Sequence, residues 1–117
     1  MNKALSVTRR NSGRAVILDL SGEINLSTSP TLRDHLLKEL KQDNGAVLLN
    51  LGSVPYIDSS GLATMIEGMQ IAIRKKSKLV LFNLNKRVMG VFEVSKLTRA
   101  FSIAQDEAAA LESAGGS

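Results

Sequence analysis

Two stretches of this chain leave little choice of architecture. Ala46-Val47-Leu48-Leu49-Asn50-Leu51 and Leu79-Val80-Leu81-Phe82-Asn83-Leu84 are nearly continuous apolar runs of strand length. A strand with one wet face alternates apolar and polar residues. A strand apolar at successive positions is buried on both faces, as in a parallel sheet covered by helices. Such a sheet needs a crossover helix between its strands, and the intervening sequence supplies one: Leu62, Met65, Ile66, Met69 and Ile73 recur at helical spacing. Gly61 and Gly68 fall on a similar face of that helix, where a bare Cα admits a close neighbour such as another backbone.

The flanking segments complete the pattern. Residues 4–10 alternate as a half-buried edge strand, Asn11-Ser12-Gly13 is a turn signal, and Ala15 to Leu20 form a second strand, giving an antiparallel hairpin. Ser29-Pro30 marks a helix start, with serine as cap and proline at the first helical position. Leu32, Leu36, Leu37 and Leu40 line one face of that helix, which is expected to stop near Asp43-Asn44-Gly45. Asn85 caps a helix containing Val88, Val91 and Phe92. Ala100 to Ile103 is a short last strand, and Gln105 to Ser113 an alanine-rich helix before a frayed Gly115-Gly116-Ser117. The order ββαβαβαβα predicts one α/β domain over residues 1–117, with a core at about 4–112 and a flexible tail at 113–117. Its sheet is mixed: an antiparallel N-terminal hairpin followed by mostly parallel strands.

Composition then excludes several function classes. There is no cysteine, so disulfides and thiolate metal sites are out. Met1 to Leu5 lacks an apolar run suited to a signal peptide, and no stretch approaches the roughly 20 apolar residues that span a bilayer. The expectation is a cytoplasmic protein with no membrane contact. The net charge of +4 invites a nucleic-acid reading. Yet the densest cluster, Arg74-Lys75-Lys76 with Lys78, falls at a predicted helix C-terminus, where cations complement the dipole, and no aromatic interleaves with it to stack on bases. No catalytic constellation assembles either. His35 is the single histidine and sits beside Asp34 on an exposed helix position. Ser59 lacks the glycine two residues earlier that a nucleophile elbow requires, and there is no phosphate loop or HExxH. No enzyme activity, metal or cofactor is expected.

Two motifs carry a family resemblance. One is Gly22-Glu23-Ile24-Asn25 with the following Ser29-Pro30. The other runs from Val47-Leu48-Leu49-Asn50-Leu51 through Tyr56-Ile57 to Asp58-Ser59-Ser60-Gly61-Leu62. With the element order from about residue 4 to residue 112, the chain resembles the STAS family, in particular the bacterial anti-sigma-factor antagonists. The resemblance implies a mixed sheet with helices packed mainly on one face. It also implies a function: binding a serine-kinase-type anti-sigma factor so that a sigma factor is released, with phosphorylation of Ser59 breaking the complex and a phosphatase restoring it. The implied partner surface comprises Gly22, Glu23, Asn25, Asp58, Ser59, Ser60 and Gly61, on a chain that is monomeric when free. Relatives also include constitutive adaptors of signalling or transporter assemblies that use the same surface without phosphorylation.

From the residues alone, serine and aspartate ahead of a helix are simple caps as readily as a modification site. Adjacent serines cannot be ranked by propensity, so Ser60 stands as the alternative acceptor. Asn25 and Asn50 occupy positions where the antagonists usually carry aspartate. In isolation they read as turn and strand-end residues with local hydrogen bonds. Beside a phosphorylatable serine, Asn25 is expected to change the rate of phosphorylation without abolishing binding.

Overall fold

The computed structural model describes residues 4–42 and 45–115. Its elements are β1 (Ser6–Ser12), β2 (Ala15–Ser21), α1 (Ser29–Leu40), β3 (Ala46–Ser53), α2 (Ser59–Arg74), β4 (Lys78–Phe82), α3 (Lys86–Val94), β5 (Ser102–Ala104) and α4 (Glu107–Ser113). The five strands lie side by side in chain order. β1 pairs antiparallel with β2, and the other neighbours are parallel. This is the mixed sheet expected from the apolar runs.

Alternation within those runs assigns the two faces. Val16, Leu18 and Leu20, Val47, Leu49 and Leu51, and Leu79 and Leu81 turn towards α1, α2 and α3, which contribute Leu32, Leu36, Leu40, Leu62, Met65, Val88 and Phe92. Ile17, Leu48, Val80 and Phe82 turn the other way and are covered by α4 through Ala110. Three helices on one face and one on the other explain why β3 and β4 carry almost no polar side chain. Phe92 and Phe101 close the larger core edge to face, with ring centroids 5.3 Å apart.

Several boundaries differ from the sequence reading, each for a local reason. β1 runs on through Asn11 and Ser12, which pair with Val16 and Ala15, so the turn is the two residues Gly13-Arg14. The start of α1 shifts by one role: Thr28 is the N-cap, Ser29 is the first helical residue, and Pro30 follows it. The helix ends at Leu40, before the predicted stop; Asp43 and Asn44 lie outside the described residues. β4 ends at Phe82 because Asn83 takes a left-handed φ of 63°, which asparagine tolerates better than most residues. On α2 the buried stripe is Gly61, Leu62, Met65, Gly68 and Ala72. Ile73, one residue and about 100° further round, is 65% exposed instead of packed. Gly61 and Gly68 accommodate side chains rather than a backbone: Ile24 and Ile57 at the first, Leu36 at the second. Within the tail expected at 113–117, Ser113 closes α4, and Gly116 and Ser117 lie outside the described residues.

Candidate functional site

The C-terminal ends of β2, β3 and β4 feed three loops that meet at one pole of the sheet. In open sheets built from parallel strands, this edge is where functional residues collect. The first loop leaves β2 at Gly22, whose φ of 120° is closed to ordinary side chains; a Cβ there would also meet the Ala4 carbonyl at 3.2 Å. Backbone bonds then sew it to the loop after β3: Gly22 N–H donates to the Ser53 carbonyl (3.1 Å), Ile24 N–H to that of Tyr56 (3.1 Å), and Asp58 N–H to that of Ile24 (3.0 Å). The two motifs identified in the sequence are thus one structural unit. The third loop joins through Asn85, whose Nδ2 donates to the Val54 carbonyl (3.2 Å) while its Oδ1 caps α3 at the Val88 N–H (2.7 Å). Arg87 extends over the Tyr56 ring, 4.6 Å from its centroid.

Asp58 is the N-cap of α2. Its Oδ1 accepts from the N–H of Ser60 (2.9 Å), the N–H of Gly61 (3.2 Å) and the Ser60 hydroxyl (2.6 Å). Partial burial pushes its pKa up, but bonds from the Ser60 hydroxyl and from the N–H groups of Gly61, Ser60 and Leu26 outweigh this and hold it below the usual carboxylate value. Asp58 is therefore a committed carboxylate, held in place as a cap.

The same bonds separate the adjacent serines. Ser60 is half-buried and its hydroxyl is engaged by Asp58, whereas Ser59 is exposed at the first helical position, its hydroxyl without a partner among the described residues. Gly61 is fixed by packing: a Cβ there would lie 2.5 Å from Ile24 Cγ2 and 2.7 Å from Ile57 Cγ1.

The two asparagines have different neighbourhoods. Asn25 closes its own loop: its Oδ1 accepts from the N–H groups of Ser27 (2.9 Å) and Thr28 (3.1 Å), and its N–H donates to Thr28 Oγ1 (2.9 Å). Thr28 Oγ1 in turn donates to the Glu23 carbonyl (2.8 Å). Asn50 ties strands together, with Nδ2 donating to Asp19 Oδ1 (2.8 Å) and Oδ1 accepting from Gly52 N–H (3.0 Å) and Asn83 Nδ2 (3.1 Å). Asn25 is satisfied within its own loop, as the residues alone allowed, whereas Asn50, expected to be satisfied by local bonds, keeps only the Gly52 contact local and otherwise reaches Asp19 on β2 and Asn83 beyond β4.

The structure therefore brings together Gly22, Glu23, Asn25, Asp58, Ser59, Ser60 and Gly61 at one pole. His35 lies exposed on α1, and Arg74, Lys75 and Lys76 close α2 at its other end. Sequence reasoning missed Leu26, 78% exposed at this pole, and the Arg87–Tyr56 contact. Neither carries a sequence signal, because both depend on how the loops turn. Among the described residues no cluster of His, Asp or Glu is suited to a metal ion, and no helix is long and apolar enough to cross a membrane.

The model of the STAS domain matches residues 6–110. The chain belongs to the STAS family. It is 27% identical over 103 residues to the anti-sigma-B factor antagonist of Listeria monocytogenes, a match spanning 88% of this chain and 90% of that one. Among solved structures, an anti-sigma factor antagonist from Mycobacterium paratuberculosis superposes with a TM-score of 0.83 at 16% identity, over 95% of this chain and 94% of its own. The anti-sigma factor antagonist SpoIIAA in its unphosphorylated form gives 0.78 at 21% identity, over 94% and 97%. At these identities the superpositions speak to fold: this STAS domain has the same overall architecture as its relatives.

Proposed function

We propose that this STAS domain is a cytoplasmic anti-sigma-factor antagonist. It binds a serine-kinase-type anti-sigma factor through the pole around Ser59, and phosphorylation of Ser59 ends the binding until a phosphatase reverses it. The antagonist names of the sequence relatives support the class of partner. The observation that carries the choice of residue is the division between the serines: the Ser60 hydroxyl is held by Asp58 at 2.6 Å, while Ser59 is exposed, its hydroxyl without a partner among the described residues.

Phosphorylation adds about −1.5 to −2 charges at neutral pH. A helix start usually receives an anion on its free N–H groups. Here the N–H groups of Ser60 and Gly61 already serve Asp58, so a phosphate on Ser59 stands towards solvent beside a second anion. The fold has little reason to rearrange, while the surface offered to a partner changes sharply. A dianion carried into an interface without a compensating cation costs several kcal/mol, about 2–5 by analogy with unpaired buried charges.

The test is to incubate the chain with candidate serine-kinase-type anti-sigma factors and ATP, map phosphate by mass spectrometry, and measure capture of the same kinase by wild type, Ser59→Ala and Ser59→Asp. Phosphate on Ser59, its loss in Ser59→Ala, and capture by Ser59→Asp at least tenfold weaker are expected. Phosphate on Ser60 would move the acceptor. Equal capture by all three would remove the switch and leave a constitutive adaptor. In Asn25→Asp the acceptor Oδ1 persists, so the loop keeps its shape and the phosphorylation rate changes while capture does not.

A further inference from the structure

Three large apolar side chains stand well exposed among the described residues: Leu26 (78%), Ile73 (65%) and Val94 (85%). Isolated exposed apolar residues are ordinary. Ile73 and Val94 fit that description, in the last turn of α2 and at the end of α3. Leu26 differs in where it is and how it is held. It is the residue after Asn25, inside the loop closed by the Asn25 side chain and the Thr28 hydroxyl, with Thr28 and Ser29 N–H groups also donating to the Asn25 carbonyl. Two residues before Leu26, the Ile24 carbonyl accepts from the N–H of Asp58 (3.0 Å), the residue that precedes Ser59 and caps α2. An exposed leucine would ordinarily sit on a loop free to fold it away. This one is fixed from both sides, next to the cap, with its side chain in water.

We propose that Leu26 is an apolar anchor that enters a pocket on the anti-sigma factor and helps decide which anti-sigma factor this chain accepts. The inference rests on the partner class proposed above. A pre-formed loop loses little conformational freedom on docking, so burial of the leucine is expressed more fully as affinity. The arrangement also gives modification its leverage. A pocket that closes on Leu26 excludes water from its surroundings, and a phosphate one residue beyond Asp58 needs that water. Apolar docking and the charged serine exclude one another.

The experiment uses the purified kinase that phosphorylates the chain in the assay above, and measures its dissociation constant by titration calorimetry. The proteins are wild type, Leu26→Ala, Leu26→Met, Ser59→Asp and the Leu26→Ala/Ser59→Asp double variant. Leu26→Ala is expected to bind about tenfold or more weakly. Leu26→Met should remain within about threefold, because methionine fills the same pocket. Thermal midpoints should not change, since the side chain contributes nothing to the core. In the Ser59→Asp background the loss from Leu26→Ala should shrink, which is the signature of coupled sites. Unchanged binding by Leu26→Ala with a strong effect of Ser59→Asp overturns the anchor and leaves the switch standing. The reverse pattern keeps the anchor and overturns the switch. No binding by wild type overturns both.

Discussion

Replacing Gly61 by alanine asks whether the site pole is as tightly built as its geometry implies. The added Cβ would lie 2.5 Å from Ile24 Cγ2, 2.7 Å from Ile57 Cγ1 and 3.1 Å from Ile57 Cδ1. Carbon atoms in contact sit about 3.5–4.0 Å apart, so both isoleucines must retreat by about 1 Å. They have nowhere to go: each is 0% exposed, and the two form the backbone bridge between the loops. Overpacking of this kind costs about 1–3 kcal/mol. Alanine returns up to about 1 kcal/mol through helix propensity, and less at this first-turn position. The net expectation is a loss of about 1–2 kcal/mol, or a fall in Tm of roughly 4–8 °C for a domain of this size. Gly90→Ala supplies the control, since it makes the same change inside α3 where a Cβ meets nothing within 4 Å. It should be neutral or stabilising by up to about 1 kcal/mol. Urea and thermal unfolding of the two variants beside wild type decide the matter. If Gly61→Ala matches Gly90→Ala, the two loops are not locked against α2, and the rigid placement of Ser59 loses its basis.

Two further outcomes concern the polar network behind the site. Asn50→Asp replaces the donor that reaches Asp19 with a second carboxylate at about the same 2.8 Å separation. A loss of about 1–3 kcal/mol is expected near neutral pH, shrinking as pH falls towards about 4, because repulsion raises the pKa of the pair and one carboxyl takes a proton above the ordinary carboxylate range. A loss independent of pH in urea titrations would assign it to packing instead. Asp19 is held below its ordinary value of 3.8, first by the hydrogen bond from Arg10, with burial opposing and Asn50 assisting. A carboxylate lowered on folding stabilises fully above its unfolded pKa, and that contribution disappears as pH falls through the folded value. Stability should therefore be level from neutral pH to about 4 and drop below it, with a shallower drop in Asp19→Asn. Parallel acid curves for that variant and wild type would remove Asp19 as a source.

Much of the fold is legible in the sequence because its informative signals are periodic. The nearly continuous apolar runs at Ala46–Leu51 and Leu79–Leu84 fit almost no architecture but a covered parallel sheet, and a hairpin ahead of them makes that sheet mixed. The features that escape are set by single side chains in three dimensions. Asn83 ends β4 two residues early by adopting a left-handed φ, a choice that its composition permits but does not announce. Helical spacing alone does not choose between Ala72 and Ile73, because the direction of the sheet decides which of the two is covered. Ser59 and Ser60 are indistinguishable to any propensity scale. They differ only because the Asp58 carboxylate turns back over the first turn of α2 and meets one hydroxyl and not the other. Leu26 reads as an ordinary apolar residue until the Asn25 turn directs it outward.

The order of the strands has a consequence for how the chain is made. Each new strand adds beside the one before it, so the sheet can grow at a single edge as the polypeptide emerges, without opening what is already paired. The last helix departs from that order of nearest neighbours, returning to strands made much earlier. Arg10, on the first strand, holds both Asp19 and Glu107, the latter at the start of the last helix. That ion pair can form only once residue 107 has been synthesised, so α4 settles over the second face of a sheet whose opposite face, with the Ser59 pole, has already had its chance to assemble.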